Sequence, residues 1–229
     1  MAVTPNTDEA FLREVDEELR RDQVVGIWTN YGRWIVAAIV LGLVAFGGFL
    51  IWRSYSHADA EKQAVSLQQA YDSIDGGNTQ GAAAPLNDLA GKGAPGTRAL
   101  AKMAQGDQLL AAGKTKEAVA KFGEVANDTS VGQPLRDLAL IRQTQTDYDN
   151  LAPQAVIDRL KPMVTKDSAW LGSAGEMVGM AYLKLNNIAE ARAAFKLVAE
   201  GDQVPDTIRQ RAVQAVGAVD ALATDQKGK

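Results

Sequence analysis

Apolar positions divide this chain into two unlike parts. From Trp34 to Trp52 the sequence reads WIVAAIVLGLVAFGGFLIW, nineteen residues without a charge, a side-chain amide or a proline. At about 1.5 Å per residue such a helix is roughly 28 Å long, close to the ~30 Å hydrocarbon layer of a bilayer. There a lone segment satisfies its backbone polar groups only as a helix. Elsewhere apolar residues recur at steps of three and four, the period of helices with one buried face. Ala60, Ala64, Leu67, Tyr71 and Ile74 carry the first helix on to a stop at Asp75-Gly76-Gly77-Asn78, with no glycine or proline between residues 53 and 74.

The same reading predicts a run of shorter helices. One carries Ala82, Ala83, Leu86 and Leu89; the next, capped by Thr97, carries Leu100, Met103, Ala104 and Leu110. Thr115 caps another, with Ala118, Val119, Phe122 and Val125. Pro134 and Pro153 open two more in the first turn, where a missing N–H costs nothing. Ser168 starts a helix with Leu171, Ala174, Val178, Ala181, Tyr182 and Leu185, and Asn187 caps one with Ile188, Ala191, Phe195 and Val198. A final helix runs from about 205 to 222. Ahead of the apolar run, residues 8–25 read as a short helix capped by Asn6 or Thr7, with Glu9–Arg13, Asp16–Arg20 and Glu17–Arg21 at helical spacing.

The flanks of the apolar run suit a membrane boundary. Trp28, Tyr31 and Trp34 lie on one side, Trp52 and Tyr55 on the other, and amphipathic rings favour the headgroup level. Arg33 and Arg53 bracket the run and reach water by snorkelling. A buried core helix seldom runs so long without a polar residue. Cleavage near Ser56-His57-Ala58 would need a signal peptide whose first 33 residues hold seven acidic and four basic groups, unlike the short basic start such peptides have. A permanent single-pass anchor is the expectation. Arg13, Arg20, Arg21 and Arg33 before it outnumber Arg53 and Lys62 after it, which places the N-terminus in the cytoplasm and the C-terminal part outside, in a periplasm if there is one.

A longer period runs through the second part. Leu86, Phe122, Leu160 and Phe195 follow one another at 36, 38 and 35 residues, and Ala82, Ala118, Val156 and Ala191 stand four residues before them. Tetratricopeptide repeats have about 34 residues per helix pair and the pattern W-x2-L-G-x2-Y followed by A-x3-F. GEMVGMAYLKLNNIAEARAAFKLV, Gly175 to Val198, resembles that unit through Gly179, Tyr182, Ala191 and Phe195. AKMAQGDQLLAAGKTKEAVAKFGEVA matches with Gly106, Ala118 and Phe122, while Leu109 replaces the tyrosine. The third pair departs, with Pro162 in its second helix and no glycine at the close-contact place. The fold class expected is all-α: one transmembrane helix, then an alpha-solenoid of about four degenerate pairs and a capping helix. Residues 1–33 are a cytoplasmic segment, 34–52 the anchor, 53–78 a helical extension leading into the repeats, and 79–229 the repeat domain.

Charge and composition narrow the function. With 24 basic and 28 acidic residues there is no basic field, so nucleic acid is disfavoured as a partner. The lone His57 has no neighbour suggesting a general base, and cysteine is absent. No metal-ligand spacing and no phosphate loop stands out, so no catalytic residue, metal or cofactor is expected and the protein is not expected to be an enzyme. What remains is a binding surface. In tetratricopeptide repeats the first helix of each pair lines the concave face; the alignment puts Met103, Asp107 and Leu110, and Glu176, Met180 and Lys184, there. Methionine suits a face that accommodates varied apolar partners, and equally serves as core filler.

The order of segments resembles a known family. An acidic N-terminal helix (FLREVDEELRRDQ), an anchor introduced by WTNYGRW and closed by WRSY, and a degenerate repeat domain are similar to the YfgM-like ancillary subunits of the Sec translocon. The similarity covers nearly the whole chain, and its most specific part is that order with the WRSY exit. It implies a single-pass inner-membrane protein whose periplasmic repeats bind unfolded or secreted clients, or a chaperone of the PpiD type, beside SecYEG. It transfers no catalytic residue. A scaffold for envelope or cell-division assemblies uses the same repeats and stays open.

Overall fold

The computed structural model describes residues 7–227, with side chains within residues 29–224 except for residue 30 and residues 53–57. Among the described residues there are helices and turns but no strand: α1 (Thr7–Asp75), α2 (Thr79–Lys92), α3 (Pro95–Ala111), α4 (Thr115–Ala126), α5 (Gln133–Thr146), α6 (Pro153–Leu160), α7 (Leu171–Lys184), α8 (Ile188–Ala199) and α9 (Asp206–Lys227), with one 3-10 turn at Lys161–Met163. The chain divides into two compact units, residues 1–60 and 61–229.

In the first unit, residues 8–25 are not a separate short helix but part of α1. The cap expected at Asn6, and the side chains of Trp28, Arg53, Tyr55 and His57, lie outside the described residues. Tyr31–Trp52 has a mean hydropathy of 2.6 in its most apolar window and is long and apolar enough to cross a membrane. Its large side chains are bare. Trp34 and Trp52 are 65% and 68% exposed, and Val36, Ile39, Leu41, Leu43, Phe46 and Phe49 between them are exposed too. The Arg33 guanidinium lies 5.9 Å from the centroid of the Trp34 ring. A methyl group added at Gly42, Gly47 or Gly48 would meet nothing within 4 Å.

The second unit is a stack of four helix pairs with a capping helix, as the period predicts. From α2 to α9 each helix packs on its sequence neighbours, which is how repeats that cannot bury a face alone make a continuous core. The first pair begins earlier than the boundary expected at residue 79. The unit opens at Glu61, and Leu67 and Ala70 of α1 share a core with Ala82, Leu86 and Leu89 of α2. Within the extension expected to lead into the repeats, residues 61–75 pack as the first helix of a pair. The pairs are α1 end with α2, α3 with α4, α5 with α6, and α7 with α8; α9 covers the last.

Packing follows the period closely. Leu86, Phe122, Leu160 and Phe195 are all buried, as are Ala82, Ala118, Val156 and Ala191 one turn before them. Sixteen residues ahead of each large residue stands a small one, in order Ala70, Gly106, Thr144 and Gly179. A Cβ on Gly106 would come within 2.7 Å of the Phe122 ring, and one on Gly179 within 2.7 Å of the Phe195 ring. Glycine thus stands where phenylalanine must fit, and alanine or threonine where leucine suffices. Tyr182 is buried beside Phe195 and Ala191. Gly175 makes a further close approach on α7, where a Cβ would lie 2.3 Å from Val198.

Turns repeat as well. In the first, second and fourth pairs the first helix ends on a residue of positive φ, Gly77 (76°), Gly113 (74°) and Asn186 (56°). Each turn closes with the same two backbone bonds. Asn78 N–H donates to the Ser73 carbonyl and Gly77 N–H to Ile74; Lys114 to Leu109 and Gly113 to Leu110; Asn187 to Tyr182 and Asn186 to Leu183. This is the Schellman arrangement, which satisfies orphan carbonyls at the helix end. Asn78 and Asn187 then cap the following helices, accepting from Gly81 N–H at 2.9 Å and Glu190 N–H at 3.3 Å.

Several predicted starts move. α3 begins at Pro95, so Thr97 sits inside its first turn rather than at the cap, because proline already supplies the helical φ. Thr115 is the first residue of α4, after Lys114. α7 begins at Leu171, with Ser168 Oγ accepting from Trp170 N–H at 3.2 Å ahead of it.

Candidate partner-binding surface

The residues expected on a concave face do not form one free surface. Met103 is 8% exposed and belongs to a core with Ala99, Ala118, Phe122 and Val125, which corrects its assignment to partner binding. Leu110 is half-buried against the same core. Between the two readings of these methionines, core filler describes Met103. Met180 stands 47% exposed on α7.

The charged candidates are held by the neighbouring pair. Both oxygens of Glu176 accept from Arg211 of α9, at 3.0 and 2.6 Å. Lys184 places its ammonium 4.4 Å from the Tyr148 ring centroid, with Asp149 at 3.8 Å. Asp107 of α3 pairs with Arg142 of α5, whose guanidinium also lies 5.4 Å from the Phe122 ring centroid. Burial pushes the Asp107 carboxyl above its ordinary range, against the downward pull of Arg142. Of these contacts Asp107 with Arg142 joins two first helices, while Glu176 reaches α9 and Lys184 reaches the turn after α5.

A second tie runs along the edge. Arg98 of α3 donates to Asp128 at 2.9 Å and to Ser130 Oγ at 2.6 Å, in the turn between α4 and α5. Ser130 donates to Asp128 from its hydroxyl and its backbone N–H, at 2.5 and 3.0 Å. The serine hydroxyl, then Arg98, then the serine N–H lower the Asp128 pKa to about 2. Nothing in the sequence reading pointed to this cluster; the Asp-x-Ser spacing of a turn is its one local signal.

A cavity lies between the first two pairs, with Asp107 in its lining. A groove of about 1220 Å³ opens between α2 and α4, with α3 and the end of α1 forming its floor. Tyr71, Ile74, Ala83, Ala90 and Leu109 give it an apolar lining. Burial, with Asp107 nearby, pushes the Tyr71 hydroxyl pKa up. Gln105 donates to Asn87 at 2.8 Å but leaves its own Oε1 without a partner, and Gln108 Nε2 has none either. At the rim, Lys102 and Lys121 both bind Glu124, at 2.9 and 3.1 Å, and Lys114 approaches Glu117 at 3.8 Å. Burial raises the Glu124 pKa, but the two lysines outweigh it and the carboxyl stays below its usual range. Among the described residues no group of three or more His, Asp or Glu side chains could hold a metal ion.

Residues 26–217 match a family of known proteins described as the tetratricopeptide repeat-like domain. The matched stretch takes in both the apolar run and all four helix pairs. No curated protein and no solved structure matches the chain.

Proposed function

The chain belongs to the tetratricopeptide repeat-like family, and from that premise we propose that it is a non-catalytic single-pass membrane protein that binds other proteins through its stacked helix pairs. A domain of this kind acts in protein–protein interaction. In the reading offered here, residues 1–33 lie in the cytoplasm, 34–52 cross the inner membrane, and the repeats stand in the periplasm. They receive unfolded or secreted clients, or a PpiD-type chaperone, at the SecYEG translocon. One observation carries the proposal. The family match starts at residue 26, so the exposed apolar helix is part of the matched domain rather than an appendage to it. Tethering raises the local concentration of the binding surface without any added contact.

Two measurements test this. The chain should resist carbonate extraction, and protease added to spheroplasts should digest the C-terminal part; digestion only after lysis overturns the topology. A photo-reactive residue at Met180 should then capture translocon subunits, a chaperone or secreted chains. Capture of division or cell-wall proteins alone would replace the translocon with a scaffold role.

A further inference from the structure

The groove between α2 and α4 is open, lined by apolar side chains with two glutamines among them, and carries charges of both signs at its rim. Its volume, about 1220 Å³, exceeds the ~300–1,000 Å³ typical of small-molecule sites. An occupant that fills it is a polymer segment rather than a metabolite. Rim charges argue against an occupant of one sign: Lys102, Lys114 and Lys121 stand with Glu117, Glu124 and Asp75, three of each. Beneath the lining, closed off from solvent, lie one unpartnered acceptor, Gln105 Oε1, and one unpartnered donor, Gln108 Nε2, a turn apart on α3. A buried polar atom without a partner is costly, and a glutamine's terminal torsion is soft enough to turn toward a ligand. One donor and one acceptor together complement a peptide group, which offers a carbonyl and an N–H.

We infer that this groove is the site at which the protein holds an extended, uncharged, apolar segment of another polypeptide, with the segment's backbone on Gln105 and Gln108 and its side chains against Tyr71, Ile74 and Leu109. The inference rests on the protein-binding reading above but moves recognition from Glu176, Met180 and Lys184 of α7 to the first two pairs, where Asp107 is the one residue of the expected face that also lines the groove. An unfolded chain fits this chemistry, since folded proteins rarely present apolar extended backbone.

The test uses the full-length chain in lipid nanodiscs and a fluorescein-labelled peptide of alternating leucine and serine, with glutamate and lysine versions in place of the serines. Fluorescence anisotropy should show the neutral peptide binding more tightly than either charged one. Ala83→Trp, an exposed position lining the groove, should weaken binding by at least about tenfold. Gln108→Leu should weaken it severalfold while leaving the Tm unchanged or higher, which a residue important only for folding would not do. Binding untouched by Ala83→Trp but lost on Met180→Asp would overturn the groove and keep the protein-binding reading. Tighter binding of a charged peptide overturns the proposed occupant. No binding by the wild-type chain overturns the inference, and capture of secreted chains at Met180 would show that the broader function survives it. Concentration-dependent dimers abolished by Ala83→Trp would give the groove to a second copy instead.

Discussion

The third and fourth helix pairs are built to the same period and differ at nearly every place where the period is enforced. In the fourth, Gly179 lets α7 approach the Phe195 ring, the turn closes through Asn186, and α8 runs for twelve residues. In the third, Thr144 and Leu160 take the equivalent positions, and the Thr144 hydroxyl is buried without a hydrogen-bond partner. No positive-φ residue ends α5, and α6 stops after eight residues, where Pro162 withholds the N–H that would continue it. Yet both pairs bury their large residue. The period is thus kept in the third pair although the residues at its small and large positions differ from those of the fourth.

The strongest way to break the comparison is to empty both contacts. Phe195→Ala should cost about 3–5 kcal/mol and Leu160→Ala about 2–5 kcal/mol, read as falls in Tm by circular dichroism of the full chain, with the aromatic loss the greater. A smaller Phe195 effect would mean that the fourth pair collapses more readily than its tight packing suggests. Gly179→Ala comes next, at about 1–3 kcal/mol, because its new Cβ meets an aromatic ring held on all sides. Combining it with Phe195→Leu reproduces the alanine–leucine combination of the first pair and should recover part of that loss. If the double variant is worse than the sum of its parts, complementary volume is not the rule.

A third variant has the opposite sign. Thr144→Val replaces an unpaired buried hydroxyl with a methyl group and should raise stability by about 1 kcal/mol. The smallest effect concerns pH. Asp128 has its pKa lowered from 3.8 to about 2, so the stability it contributes is present above about pH 4 and is lost as pH falls toward 2. In Asp128→Asn the Tm should be lower at neutral pH, and the drop between pH 4 and pH 2 should shrink; an unchanged acid profile removes the Arg98 cluster from the account.

Much of the fold was legible because the signals are local. An apolar run of nineteen residues, a stripe every three or four, and large residues near 36 apart need no knowledge of contacts. Helix starts were less legible. Thr97 looked like a cap, but Pro95 two residues earlier fixes the helical φ on its own. The surface was least legible of all. Met103 and Met180 read alike in sequence, yet one is in the core and the other in solvent, since a repeat alignment gives the face of a helix and not what the next pair lays across it. Glu176 met Arg211 and Asp107 met Arg142, each 35 residues away, a distance over which no side-chain pattern announces a partner. The groove and its two unsatisfied amides lie between pairs, so they have no counterpart in any single repeat.

α5 contributes Ala139 to the core of the second pair and Ile141 to the core shared by the third and fourth. Two neighbouring positions on one helix therefore serve as a party wall between rooms that are otherwise furnished separately. Tilting that wall would change the chambers on both sides at once.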